Sequence, residues 1–233
     1  MANLYLIPLT LGESELNMVL PDSNSTVIRS ISHFIVENIR TARRFLKKVD
    51  REIDIDSLHF YELNKHTDKK QLHAYLDPIK ANLPMGIMSE AGCPGVADPG
   101  AEVVRIAHEK GIRVVPLVGP SSILLAMMAS GMNGQNFAFN GYLPIPKGEK
   151  AKQIKQLESR IYTENQSQLF IEAPYRNLQL LGDLLTNCQA HTKLCIACDL
   201  TLDTEFIQTR SINDWKQHQP DIQKRPAIFV LGK

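Results

Sequence analysis

The stretch that decides the fold is residues 86–122, which read GIMSEAGCPGVADPGAEVVRIAHEKGIRVVPLVGPSS. An apolar run at residues 86–88 enters a loop, residues 89–100, that contains three glycines and two prolines. A helical pattern follows over residues 101–110, and a second apolar run covers residues 112–117. This order predicts a strand, a loop, a helix and a second strand parallel to the first.

The loop at residues 89–100 is longer than its connection requires. Strand-to-helix loops in parallel α/β units need about two to six residues, whereas this loop has 12. Such folds bind ligands at the carboxyl ends of their parallel strands. We therefore expect a binding site here, with a plain connection as the alternative.

Strand and helix patterns alternate along the whole chain and predict two α/β domains, residues 1–118 and 119–233. The first has five strand-like runs with helical patterns between them, which predicts a mostly parallel sheet. Gly119 and Pro120 interrupt the pattern and mark the boundary. In the second, the runs at residues 193–199 and 204–209 are joined by a short link, so we expect an antiparallel pair and a mixed sheet.

Two helices of the first domain are placed by their capping signals. Ser25 is expected to cap a short helix, and a longer helix is expected to run from Thr67 or Asp68 to about residue 83.

Composition indicates a globular protein. The 233 residues are 43% hydrophobic and 22% charged, with a formal net charge of +1, which excludes a protein that is basic overall but permits a local basic face. The sequence lacks the roughly 18 consecutive apolar residues of a membrane span. Its first residues, MANLYLIPLT, do not resemble a signal peptide, so we expect a cytoplasmic protein.

No metal site is predicted. Cys188, His191, Cys195 and Cys198 are close in sequence, but residues 193–199 have a strand pattern. Residues three apart on a strand point to opposite faces, so Cys195 and Cys198 are not expected to share an ion.

Common nucleotide-binding motifs are missing from the sequence. It has neither G-x-G-x-x-G after a strand nor G-x-x-x-x-G-K-[ST], which disfavours a dinucleotide enzyme or a P-loop NTPase. Turn-rich loops after residues 9, 88, 117 and 142 remain as the places where backbone groups can hold a small molecule.

Five segments together resemble the tetrapyrrole methylase superfamily, the class III S-adenosylmethionine (SAM)-dependent methyltransferases. The resemblance is closest to the branch that methylates a ribose 2′-oxygen in small-subunit ribosomal RNA. The segments are LYLIPLTLG at residues 4–12, SEAGCPGVADPGAEVVR from residue 89, GIRVVPLVGPSS from residue 111, FAFNGYLP at residues 137–144 and EAPYR at residues 172–176.

The resemblance implies two α/β domains with SAM in the cleft between them, and a homodimer. Methyl transfer itself needs no metal, because the sulfonium carbon is already electrophilic. The cofactor-binding positions that it implies are Pro8, Gly12, Ser89, Glu90, Ala91, Gly92, Ser121, Ser122, Tyr142, Leu143, Pro226 and Ala227. Gly92 is expected to let the backbone approach the ligand, since it lacks a Cβ.

The acceptor side differs from the branch pattern. Where the branch has A-E-D-T-R after the second strand, this chain has VENIR at residues 36–40, which keeps Glu37 and Arg40 as candidate catalytic residues. A ribose hydroxyl requires a base or close positioning, and Glu37 can provide it. The alternative is that Glu37 is a surface or capping carboxylate.

Five basic residues are expected to share one face of the helix that follows. Their spacings of three, four, seven and eleven residues match the helical period, and a cationic stripe of this kind can bind RNA phosphates. The alternative is a solvated helix face. The residues are Arg40, Arg43, Arg44, Lys47 and Arg51.

We interpret the chain as a SAM-dependent methyltransferase in ribosomal RNA processing, which methylates a ribose 2′-hydroxyl of small-subunit ribosomal RNA. Two alternatives stay open. The acceptor can be a small, tetrapyrrole-like molecule, or the protein can be an RNA-associated module that binds SAM and has lost catalysis.

Overall fold

The computed structural model describes residues 2–64 and 67–233. The chain forms two compact units, which divide between Ser121 and Ser122.

The described residues of the first unit form five strands with helices between them. In chain order the elements are β1 (Leu4–Ile7), α1 (Leu16–Val19), α2 (Asp22–Arg29), β2 (His33–Val36), α3 (Ile39–Val49), β3 (His59–Glu62), α4 (Leu72–Tyr75), α5 (Asp77–Lys80), β4 (Met85–Met88), α6 (Gly100–Glu109) and β5 (Val114–Pro116).

The sheet of the first unit is parallel throughout. Its strand order is β3-β2-β4-β1-β5, and every neighbouring pair runs in the same direction, which confirms the predicted parallel sheet. Apolar side chains cover both faces of the sheet: Ile35 and Met85 lie in one buried cluster, while Phe34 and Met88 lie in the other. A sheet buried on both faces leaves its strand ends as the open positions for a site.

The second unit forms five further strands. Its elements are α7 (Ser122–Ser130), β6 (Phe137–Tyr142), α8 (Lys147–Thr163), β7 (Ser167–Ile171), α9 (Asn177–Asn187), β8 (Lys193–Cys198), β9 (Phe206–Ser211), α10 (Ile212–Gln217) and β10 (Ala227–Gly232).

The sheet of the second unit is mixed, as predicted. Its order is β6-β7-β10-β8-β9; β6 and β7 are parallel, and the other neighbouring pairs, including β8 and β9, are antiparallel. Because β10 runs opposite to β7, it begins at the edge where β6 and β7 end. Ile171 of β7 pairs with both Tyr142 of β6 and Ile228 of β10.

Two helix predictions in the first unit are wrong. Ser25 lies inside α2, because the helix already begins at Asp22, whose carboxylate is favourable in the first turn. The helix expected up to about residue 83 is divided into a 3₁₀ turn, α4 and α5. Pro78 has no N–H to continue the hydrogen bonding of α4, so a new short helix starts around it.

A membrane-crossing helix, long and apolar enough to span a bilayer, is not found in the part of the chain that the structure describes.

Gly119 lies against the loop that follows β1, and this contact leads to a stability prediction. A Cβ at residue 119 would lie 2.3 Å from two ring carbons of Pro8. We expect Gly119→Ala to destabilise the protein by about 1–3 kcal/mol, because the overlap forces the backbone to shift. Urea unfolding measures the change. Gly134→Ala is the matched control, since a Cβ there meets no atom within 4 Å; equal stability of the two variants would contradict the prediction.

Candidate functional site

The loops after β1 and β4 lie side by side, because these strands are neighbours in the parallel sheet. The backbone N–H of Leu9 donates to the carbonyl of Gly92 over 3.0 Å and joins the loops directly. Ser89 is buried, and its hydroxyl donates to the carbonyl of Ala91 over 3.2 Å. The predicted loop residues therefore form one ordered backbone structure.

Gly92 is required by the loop itself. Its φ of +67° lies in the left-handed region, and a Cβ there would lie 3.1 Å from Leu11 Cδ2 and 3.2 Å from the Pro120 carbonyl oxygen. Contacts within the chain are thus a sufficient reason for a glycine at this position, in addition to the expected room for a ligand.

Asp98 closes the far end of the same loop. Its carboxylate accepts hydrogen bonds from the backbone N–H of Gly95, at 2.8 and 2.9 Å, and of Gly100, at 2.7 Å. Burial raises the pKa of Asp98, although these two N–H groups act in the opposite direction.

A cavity of about 270 Å³ opens beside these loops. Residues 9–13 form one wall, and Glu90 and Ala91 form another. Helix α3 lines the rest with Thr41, Arg44, Phe45 and Lys48. The cavity thus brings together predicted cofactor positions (Gly12, Glu90 and Ala91) and a predicted RNA-binding residue (Arg44).

Two polar contacts order the α3 side of this cavity. The Thr41 hydroxyl donates to Glu90 Oε2 over 3.2 Å, and Lys48 Nζ donates to the Ser14 carbonyl over 2.6 Å. Lys48 was not among the predicted stripe residues, although it lies four residues after Arg44 and this spacing could have placed it on the same face of α3.

Helix α3 begins at a cap that its sequence specifies. The Asn38 side chain accepts from the backbone N–H groups of Arg40, at 2.9 Å, and Thr41, at 3.2 Å. Asn38, not Glu37, therefore caps α3. An asparagine just before a helical pattern is a signal that could have identified this cap from the sequence.

Four of the five predicted stripe residues lie exposed on α3: Arg40, Arg43, Arg44 and Lys47. The placement of Arg51 on the stripe is wrong, because α3 ends at Val49 and the backbone of Asp50 is extended. Instead, the Arg51 carbonyl accepts a hydrogen bond from Lys47 Nζ over 2.8 Å. Arg43 also packs within the unit, with its guanidinium carbon 5.5 Å from the centre of the Phe60 ring.

Glu37 follows β2 directly and is half-buried. Burial raises the pKa of Glu37, and the carboxylates of Asp98 and Glu90 raise it further, while the backbone N–H of Glu90 donates to it and acts against this rise. Glu37 is thus a carboxyl group with a raised pKa beside Glu90, which lines the cavity.

The predicted positions of the second unit meet at one edge of its sheet. Tyr142 ends β6, Leu143 follows it, and Pro226 and Ala227 lie at the start of β10. Tyr142 is exposed, whereas Leu143 is buried in the core. The Pro226 carbonyl accepts from the backbone N–H of Asp199 over 2.9 Å. Ser122 is the first residue of α7, and Ser121 ends the first unit.

Comparison with known proteins identifies relatives over most of the chain. It is 29% identical to the "Ribosomal RNA small subunit methyltransferase I" of Haemophilus influenzae over 175 residues, which are 74% of this chain and 60% of that protein. It is 31% identical to the protein of the same name from Bacillus subtilis over 182 residues, 78% of this chain and 58% of the relative. With the Buchnera aphidicola protein the identity is 26%, over 98% of this chain and 77% of the relative.

Solved structures share the fold at lower identity. The methyltransferase CobJ superposes with a TM-score of 0.68 at 14% identity, covering 100% of this chain and 95% of CobJ. The cobalt precorrin-4 methyltransferase CbiF gives 0.62 at 12% identity, covering 99% of this chain and 94% of CbiF. No family model matches the chain.

The resemblance to the tetrapyrrole methylase superfamily is confirmed. The solved methyltransferases CobJ and CbiF cover nearly the whole chain, so their fold includes both of its sheets. The chain spans about 60% of the length of the Haemophilus relative and 58% of the Bacillus relative.

The carboxylates around Glu37 give a pH-dependent prediction. Because the pKa of Glu37 is raised above its ordinary value of 4.5 in the folded protein, its contribution to stability is present below that value and is lost as pH rises through the folded-state pKa. We expect Asp98→Asn to lower the pKa of Glu37, since it removes a negative charge while an amide oxygen can still accept from Gly95 and Gly100. A ¹³C NMR titration of the Glu37 carboxyl group measures this shift.

Asp56→Asn is the control for that titration, because Asp56 is exposed and lies in the turn before β3. A Glu37 pKa that is unchanged by Asp98→Asn, or one found at or below 4.5 in the unmodified protein, would show that the carboxylate grouping is misplaced.

Proposed function

We propose that this chain is a SAM-dependent methyltransferase that methylates a ribose 2′-hydroxyl of small-subunit ribosomal RNA. One observation carries the proposal: a single cavity is lined by predicted cofactor loops and by the basic helix α3. The names of the relatives from Haemophilus influenzae and Bacillus subtilis support the same activity. A uroporphyrin-III C-methyltransferase from Thermus thermophilus, solved with S-adenosylhomocysteine, supports the same cofactor at a TM-score of 0.55.

The residues that line the cavity fit a SAM molecule. SAM has positive charge at its sulfonium and its α-ammonium groups, and the Glu90 carboxylate can pair with a cation there. The volume of about 270 Å³ is just below the roughly 300–1,000 Å³ of typical ligand pockets, so we assign part of the cofactor to it. Gly12, Glu90 and Ala91 would hold that part, and SAM would supply an electrophilic methyl group.

We assign the remaining predicted cofactor positions in two groups. Pro8, Ser89, Gly92 and Ser121 shape the loops of the first unit, and Ser122, Tyr142, Leu143, Pro226 and Ala227 belong to the second unit.

Glu37 acts as the general base in this proposal. A ribose hydroxyl is far too weak an acid to ionise at neutral pH, so the 2′-oxygen becomes a nucleophile only as its proton is removed. The Glu37 carboxylate accepts that proton. Its raised pKa makes it a stronger base than an exposed glutamate.

The exposed face of α3 binds the RNA backbone. Arg40, Arg43, Arg44 and Lys47 present four positive charges, and each phosphate neutralised by such a group releases bound counterions. Arg40, in the first turn of α3, lies three residues after Glu37 and is assigned to the phosphate nearest the base. We further propose that the protein works as a homodimer in the cytoplasm.

Methyl transfer from labelled SAM to undermethylated small ribosomal subunits tests the proposal directly. We expect label in the RNA, and we expect Glu37→Gln to lower kcat by about 10²- to 10⁴-fold, the usual contribution of a general base. Binding of S-adenosylhomocysteine, measured by calorimetry, should change little. Glu52→Gln, an exposed residue after α3, is the control.

Two results would contradict this proposal. Label found only in a small-molecule extract would favour a tetrapyrrole-like acceptor, and cofactor binding without labelling of any acceptor would favour a module that has lost catalysis.

The basic face of α3 gives a matched pair of variants. We expect Arg44→Met to weaken binding to small-subunit RNA and to reduce the slope of log affinity against log salt by about one, because one phosphate contact is lost. Arg51→Met removes the same charge from a residue beyond the end of α3 and should have a smaller effect. Fluorescence anisotropy at several salt concentrations measures both, and equal losses would refute a specific role for the cavity-lining arginine.

A further inference from the structure

An exposed aromatic and cationic surface lies at the edge of the second sheet where β6 and β7 end and β10 begins. It consists of the exposed Tyr142, Tyr175 and Lys224 and the half-buried Arg176, and we call it the Tyr175 surface. The two tyrosines are 63% and 62% exposed, so much of each side chain is open to a ligand.

Arg176 is held in one position on this surface. Oε1 of the buried Glu172 accepts from Arg176 Nε over 2.9 Å and from Nη2 over 2.6 Å, and it also accepts from the Ala173 backbone N–H over 2.7 Å. Burial raises the pKa of Glu172, but these hydrogen bonds outweigh it and hold that pKa below its ordinary value. The carboxylate is therefore charged at neutral pH, and the guanidinium has little rotamer freedom left to lose on binding.

The Tyr175 ring is held next to that guanidinium. Arg176 Nη1 donates to the Tyr175 hydroxyl over 2.7 Å, and the guanidinium carbon lies 5.0 Å from the ring centre. The Tyr142 phenol interacts electrostatically with the same arginine. A planar aromatic group and a planar cation are thus fixed side by side at the surface.

The segment before β10 forms hydrogen bonds with the backbone of Pro174 and Tyr175. The Lys224 N–H donates to the Pro174 carbonyl over 3.0 Å, and Gln223 Nε2 donates to the Tyr175 carbonyl over 3.4 Å. The exposed Lys224 therefore sits beside the tyrosine loop and adds a second cation to the surface.

We propose that the Tyr175 surface binds an unpaired nucleobase of the RNA substrate, stacked on the Tyr175 ring, with a flanking phosphate held by Arg176 and Lys224. Proteins that read single-stranded RNA stack splayed bases on aromatic rings and on arginine planes. The positive charges complement a phosphate, whereas a base inside a duplex has both faces covered by the neighbouring base pairs. This inference rests on the proposed function, because it takes RNA as the substrate.

Tyr175→Ala tests the proposal, with Tyr175→Phe as the matched variant that keeps the ring. The probe is a fluorescently labelled 12-nucleotide single-stranded RNA, compared with the same sequence in a duplex. We expect Tyr175→Ala to weaken single-strand binding by about 5- to 100-fold, the loss that a stacked base gives on alanine substitution. Tyr175→Phe should stay within about twofold, and duplex binding should change little.

Two further measurements separate this inference from the proposed function. In methylation assays, Tyr175→Ala should raise KM for small ribosomal subunits more than it lowers kcat, and S-adenosylhomocysteine affinity should be unchanged. If the unmodified protein labels RNA and Tyr175→Ala does so with the same KM and single-strand affinity, the stacking surface is refuted and the methyltransferase proposal stands. If the unmodified protein neither binds nor labels RNA, both fail.

Sedimentation analysis of the oligomeric state tests whether the Tyr175 surface instead binds a second copy of this chain. A change from dimer to monomer in Tyr175→Ala, without a change in single-strand affinity, would overturn the inference. Ile145→Ala is the control, since Ile145 is 68% exposed and follows β6, and carries no aromatic ring. Ile145→Ala should leave the RNA affinity unchanged.

Discussion

The hydrogen bond between the Leu9 N–H and the Gly92 carbonyl, 3.0 Å long, joins the two loops on which the candidate site is built. It can form because β1 and β4 are adjacent and parallel, so that both loops leave the sheet at the same edge. The left-handed backbone of Gly92 gives the second loop its turn there, and Asp98 ties the end of that loop to the start of α6. A bulkier residue at position 92 would disturb the loop through its contacts with Leu11 and Pro120.

The two units carry different parts of the proposed chemistry. The first contributes Glu37 and Asp98, whose pKa values are raised by burial, and in the case of Glu37 also by neighbouring carboxylates. It also contributes a helix with exposed cations. The second contributes a surface where a buried glutamate fixes an arginine beside an exposed tyrosine. In the proposals above, the first arrangement serves proton transfer and the second serves recognition of an unpaired base.

Much of the fold could be predicted because its signals are local. Apolar runs, helical periods, and the glycines and prolines between them predict the ten strands found among the described residues. The twelve-residue loop stands out by its length alone. The wrong predictions also have local causes, and each of them depends on a single residue. Pro78 divides a helix whose pattern looked continuous, and the extended backbone at Asp50 ends α3 before it reaches Arg51.

The grouping of Glu37, Glu90 and Asp98 could not be derived from spacing. These carboxylates approach one another only when β2 pairs with β4, and no sequence period links residue 37 to residue 90. The fixed position of Arg176 could not be derived from spacing either, because it depends on the burial of Glu172. A sequence motif can identify such residues, but the burial that shifts their pKa values or fixes their positions is known only from the folded structure.

Hydrogen exchange read by mass spectrometry, with and without S-adenosylhomocysteine, tests the central claim most directly. If the joined loops hold the cofactor, backbone amides of residues 8–13 and 89–92 should exchange more slowly in its presence, while those of the β3 edge should not change. If exchange in both loops is unchanged at a saturating concentration of S-adenosylhomocysteine, the account is contradicted.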